Sequence, residues 1–190
     1  MKPVTRSEIL DLGAYEQIRE RFRARVIEEK KRRRARLGPQ MSVLFENHDT
    51  ALFQIQEMLR TERISAEPAV LHELETYNEL VPGADELSAT IFVEIDERAE
   101  REAMLEKLAG LEDKFYVEVE GERSGVIPDH RNDRTDRTTA VHYVKFPLSK
   151  AAADAIRQKR PVRIGVAHPA YLVSEELAAA TVSALAEDLS

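Results

Sequence analysis

Four short apolar stretches in the second half of the chain alternate with helical ones, and this order constrains the fold more than any other feature. "SATIFVEI" (88–95), "KFYVEVE" (114–120), "TAVHYVKFPL" (139–148) and "PVRIGVAH" (161–168) read as strands. Ile91, Val93 and Ile95 share one face of the first strand, as do Val162, Ile164 and Val166 of the last, because side chains alternate across a strand. "DERAEREAMLEKLAG" (96–110) and "SKAAADAIRQKR" (149–160) read as helices, capped by Asp96 and Ser149. Residues 88–168 therefore give the order βαββαβ, which predicts a ferredoxin-like sheet. A polar loop, "DHRNDRTDRT" (129–138), joins its two halves, and Ser174 is expected to cap a final alanine-rich helix.

The first half is mainly helical. Thr5 and Glu8 have the spacing of a capping box, and a short helix is expected to stop near Gly13. Tyr15, Ile18, Phe22 and Val26 recur at helical spacing, and Gly38-Pro39 is the first firm stop after them. "QMSVLFE" (40–46) reads as a short strand. Helices are expected over 50–65, capped by Asn47, Asp49 or Thr50, and over "PAVLHELETYNEL", with Pro68 in its first turn. The expectation is one α+β domain over 1–190: a helical half (1–80) packed on a ferredoxin-like βαββαβ half with a C-terminal helix (88–190).

Charge divides the chain the same way. Residues 1–40 carry twelve basic and six acidic residues, and the remainder is at −13, for a net charge of −7. The basic pole peaks at Lys30, Lys31, Arg32, Arg33, Arg34 and Arg36. Four readings follow: a solvated helix end, where Glu28–Arg32 and Glu29–Arg33 pair at i,i+4 and the cations suit the helix dipole; docking an acidic partner or a second copy; contacting nucleic-acid phosphates; or docking one half of the chain on the other. The acidic body, the absence of tryptophan and the lack of an RNP pattern on the strands argue against nucleic acid. No apolar run approaches the roughly 20 residues that span a bilayer, and the N-terminal stretch lacks the apolar core of a secretory signal. A cytoplasmic protein with no membrane partner is expected.

The helix over 50–65 has polar residues on its apolar side. Leu52, Ile55 and Leu59 define an inward direction at about 100° per residue. Gln56, Glu62 and Arg63 fall inside that arc, Arg60 lies at its edge, and Gln54, Glu57 and Thr61 point outward. Inward charges need partners, a ligand or water. The four residues are thus either a structural network or a site for a small anion gripped by guanidinium forks.

His142 sits on an apolar strand face, and His168 ends one just before Pro169, Ala170 and Tyr171. With Glu46 and His48 they are candidate N/O metal ligands, although none has a paired-ligand spacing. There are no cysteines, no G-x-G-x-x-G, no P-loop and no G-x-S-x-G. No cofactor is evident beyond a possible metal.

"LFENHDT" (44–50), "QIQEMLRTERI" (54–64), "AVHYVKF" (140–146) and "HPAY" (168–171), with "YEQIRERFRARVIEEKKRRR" before them, together resemble the domain of unknown function 3501 family. The resemblance covers nearly the whole chain. It implies one domain and no established reaction. It also implies association with rubrerythrin-like di-iron proteins and iron–sulfur oxidoreductases, hence with iron or peroxide stress. The expected function is therefore an accessory or interaction protein of an iron-dependent redox system, homodimeric, binding an acidic partner of that kind through residues 30–36. The alternatives are a metal- or anion-binding enzyme with a site between the 50–65 helix and the sheet, and a nucleic-acid binder.

Overall fold

The computed structural model describes residues 1–128 and 136–189. His130 and most of the polar loop expected over 129–138 lie outside the described residues. A 3-10 turn, Arg6–Glu8, holds the capping box of Thr5 and Glu8. Helix α1, Leu12–Arg33, starts where the Asp11 side chain accepts the Ala14 N–H. Gly13 therefore lies in the first turn of α1 and ends nothing.

The basic block changes conformation midway. Helix α1 ends at Arg33, and Arg34–Arg36 forms strand β1, antiparallel to β2, Met41–Phe45. The reversal is made at Gly38, whose φ of 72° is left-handed. The Tyr171 hydroxyl locks it, donating to the Leu37 carbonyl at 2.8 Å and accepting from the Gln40 N–H at 3.2 Å. Arg34 and Arg36 then reach Glu94 across the sheet, at 3.2 and 2.9 Å.

Helix α2, His48–Thr61, opens with a reciprocal cap between Asn47 and Thr50. Helix α3, Glu67–Asn78, has Pro68 in its first turn. Strand β3, Glu86–Val93, is followed by α4, Arg98–Lys107, whose cap is Glu97 and not Asp96. Strands β4 (Phe115–Val119), β5 (Glu122–Gly125), β6 (Ile127–Pro128) and β7 (Val141–Pro147) lead to α5 (Lys150–Arg157). Strands β8 (Val162–His168) and β9 (Tyr171–Glu176) precede α6, Ala179–Asp188. Ser174 thus lies inside β9, paired with Gly165, and does not cap the last helix.

The described strands form two antiparallel sheets, β1-β2-β3-β7-β6 and β5-β4-β8-β9. The four strands expected in one ferredoxin-like sheet are therefore shared between two: β3 pairs with β7, and β4 with β8. Two local causes are visible. Strand β2 buries all five residues and occupies the other edge of β3, so the two halves of the chain share a sheet. Strand β4 turns back on β5 through Glu120-Gly121, both at positive φ, the geometry of a tight hairpin. Two residues after pairing in one sheet, the chain pairs in the other as β6, so β5 and β6 form a corner.

One core cluster joins the facing sides of both sheets to α4, α5 and α6. It includes Phe45, Ile91 and Phe146 from the first sheet, Phe115, Val117 and Ile164 from the second, and Leu105, Ile156 and Leu185 from the helices. A smaller cluster packs α2 and α3 on the N-terminal segment through Val4, Ile9, Ile55, Leu59 and Val70. Among the described residues, no helix is long and apolar enough to cross a membrane.

Candidate functional site

The basic block is largely consumed by the protein itself. Arg33 is 1% exposed. Its fork meets Asp188 at the end of α6, with Nη1–Oδ2 at 2.5 Å and Nη2–Oδ1 at 2.7 Å, and its Nε bonds to Glu29. Burial alone would weaken its charge, but the Asp188 and Glu29 hydrogen bonds outweigh that and hold the guanidinium more firmly protonated. Arg32 joins Glu29 and Glu187. Lys30 lies 5.4 Å from the centre of the Phe53 ring, and exposed Lys31 pairs with Glu28. The block thus docks α1 on α6 and anchors β1; Lys31 and Arg36 are its most exposed members, each paired with an acid on the protein's own surface.

The four-residue cluster expected on α2 is not one site. Gln56 does face inward, 1% exposed. It clamps the backbone of Leu10, accepting its N–H at 2.6 Å and donating to its carbonyl at 3.3 Å. Arg60 pairs with Glu16 of α1 at 2.5 Å. Glu62 and Arg63 are exposed, because α2 ends at Thr61 and Arg63 turns the chain at a φ of 55°. The spacing of about 100° per residue misplaced them by extending a helix that had stopped. It also placed Glu57 outward, yet Glu57 takes a bidentate fork from Arg19, both bonds at 2.8 Å, and the Tyr15 hydroxyl at 2.7 Å. The Arg19 hydrogen bonds hold the Glu57 carboxyl below the usual range, while burial and this carboxylate push the Tyr15 hydroxyl up.

Above this network, α1 and α2 part to leave a groove of about 400 Å³. Leu10, Ile18, Phe22 and Leu52 form an apolar floor, and Arg21, Arg25 and Glu8 stand at its rim. The floor is shaped by edge-to-face contacts of Phe22 with Tyr15 and Phe53, at 6.3 and 5.8 Å between centroids. Arg25 lies 5.0 Å over the Phe22 ring and pairs loosely with Asp49 at 3.2 Å. Arg21 is exposed and has no acidic partner among the described residues. Tyr15 and Gln56 line the groove, but their polar atoms are already committed. Among the described residues the groove offers an apolar floor, two arginines at its rim beside a Glu8 carboxylate already bonded to Thr5 and His48, and no free nucleophile or base. Arg21 and Arg25 escaped the sequence reading because Tyr15, Ile18 and Phe22 look like an ordinary core stripe. The one available signal was two arginines at i and i+4 beside that stripe.

The two histidines lie in different sheets, His142 on β7 and His168 on β8. His168 uses both ring nitrogens: Nδ1 accepts from the Ala170 N–H at 3.1 Å, and Nε2 lies 3.1 Å from the Ala109 carbonyl, to which it donates. His142 is buried beside Phe115, with Nε2 3.2 Å from the Thr138 hydroxyl. Burial lowers its pKa, against a smaller upward pull from Thr139 and Glu112. Tyr171 serves the Gly38 turn. His48 stands by Glu8 and Asp49, and Glu46 bonds to Thr90. Among the described residues, no group of three or more His, Asp or Glu is placed to hold a metal ion.

A family model described as "Protein of unknown function (DUF3501)" matches residues 3–189. No curated protein matches the chain. Among solved structures, the chain is similar to a crystal structure of a novel protein of unknown function from Burkholderia pseudomallei K96243. The two are 34% identical with a TM-score of 0.93, and the match covers 100% of each chain.

Proposed function

The chain belongs to the DUF3501 family, and on that premise we propose that it is an accessory binding protein whose groove between α1 and α2 takes an apolar carboxylate. One observation carries the reading: a concave apolar floor with an arginine at its rim, Arg21, that no acid among the described residues neutralises. Such a pocket rewards a ligand with an apolar body and one negative end. The polar atoms beneath it are spent on structure, so it binds and does not react. The link to an iron-dependent redox or peroxide-stress system, which the family resemblance implies, belongs to the same proposal.

Anilinonaphthalene sulfonate, itself an apolar anion, tests the reading by fluorescence. Saturable binding at one site per chain, displaced by decanoate, is expected. An Arg21→Gln/Arg25→Gln variant should bind about tenfold to a hundredfold more weakly, since hydrogen bonds to a charged group contribute about 1.5–3 kcal/mol. Non-saturable binding, or affinity unchanged in that variant, would refute it. A second reading, docking of an acidic protein partner or a second copy, is favoured by Arg21 and Arg23, both exposed on α1 without an acidic partner among the described residues. Decanoate would then fail to displace the dye, and charge reversal at Arg23 would weaken the complex.

A further inference from the structure

A second cavity, of about 220 Å³, lies on the outer face of the first sheet, beneath the end of α1 and the start of α2. Strand alternation builds it. Met41, Val43 and Phe45 of β2 point into the core, so Leu44, and Glu46 just past the end of the strand, point the other way. From β3 and β7 the same alternation brings Thr90, Phe92 and Tyr143. Helix α1 contributes Lys30 at the opposite wall.

Two charges in this cavity are left over. Glu46 is 6% exposed, and Oε1 accepts from the Thr90 hydroxyl at 2.6 Å. No cation lies within ion-pair distance of it among the described residues, and its side chain lines the cavity. A buried carboxylate with a single hydrogen bond is an expensive group to keep for structure alone. Lys30, half-buried, contacts the face of Phe53 and likewise has no carboxylate partner among the described residues. Its neighbours in the block all found acids; Lys30 found none among the described residues. One pocket therefore holds a negative group at its floor, a positive group at its wall, and aromatic and aliphatic sides between them.

We propose that this cavity is a binding site for a small zwitterion, an apolar L-α-amino acid. The ammonium is held by Glu46, the carboxylate by Lys30, and the side chain by Phe92, Tyr143 and Leu44. The size agrees: about 220 Å³ is below the roughly 300–1,000 Å³ of drug-sized pockets and suits one amino acid. A ligand with only one charge leaves the other protein charge uncompensated, which gives the site its selectivity.

Isothermal titration of the full chain with L-leucine and L-phenylalanine tests this, beside phenethylamine and phenylpropionate, which each lack one charge. The amino acid should bind at least about tenfold more tightly than either analogue. Glu46→Gln should weaken phenylalanine and phenethylamine but spare phenylpropionate. Lys30→Gln should weaken phenylalanine and phenylpropionate but spare phenethylamine. Absence of saturable heat with both amino acids, or affinity insensitive to both substitutions, overturns the proposal. Should a variant misfold by circular dichroism, the wild-type comparison decides alone: an analogue that binds as tightly as phenylalanine overturns it.

Discussion

Replacing Arg33 by Met should be among the most damaging single changes in this protein. The Arg33 side chain is 1% exposed and that of Asp188 is 5% exposed, and two parallel hydrogen bonds join them. Removing one member of a buried pair costs about 3–5 kcal/mol, because the survivor is left charged and unpaired. The two members are not equivalent. Without Asp188, Arg33 still has Glu29; without Arg33, Asp188 loses its fork entirely. Asp188→Asn should therefore fall at the lower end of that range and Arg33→Met at the upper end. Against a total stability of about 5–15 kcal/mol this is a large fraction. For a chain of this size it should lower Tm by on the order of 10 °C. The double variant Arg33→Met/Asp188→Asn leaves neither charge buried, so it should be more stable than Arg33→Met alone. Urea unfolding followed by circular dichroism measures all four corners of this cycle. A cost below about 1 kcal/mol for Arg33→Met, or a double variant equal to the sum of the singles, would refute the assignment of α1–α6 docking to this pair.

Three further outcomes follow from single contacts. Gln56→Ala strands the Leu10 N–H and carbonyl, and should cost about 1–3 kcal/mol in the same assay. Gly165→Ala should be worse than an ordinary surface change, because a Cβ there would lie 2.2 Å from the Tyr116 ring; Tyr116→Ala should relieve part of the loss. His142 has its pKa lowered by burial, so the unfolded chain takes the proton first: stability is unaffected above the unfolded value of about 6.5 and falls as pH drops below it, until the folded value is reached. His142→Gln should flatten that part of the pH–stability curve.

The elements were legible in the sequence where local chemistry decides them. Pro68 at the start of α3 and the alternation of Ile91 and Val93 act within a few residues, and the structure has them where the sequence placed them; of the three caps open for α2, Asn47, Asp49 and Thr50, it takes Asn47. Strand β5 and the end of α1 were missed for opposite reasons. The polar "ERSG" of β5 carries no alternation, and it is a strand only because β4 offers it an edge. Arg34–Arg36 has strong helix formers, and it leaves the helix only because Gly38, Tyr171 and Glu94 hold it against β2.

The candidate sites divide in the same way. The sequence by itself determined that twelve basic residues lie in the first 40 and that Gln56 breaks an apolar face. It could not say which charges would be spent. Arg33 meets Asp188 across 155 positions of chain, whereas Lys30, three residues earlier, meets no acid among the described residues. Helical phase and the place where α6 ends make that difference. Charge is a property of the residue, but its neutralisation is a property of the pair, and only the tertiary structure brings pairs together.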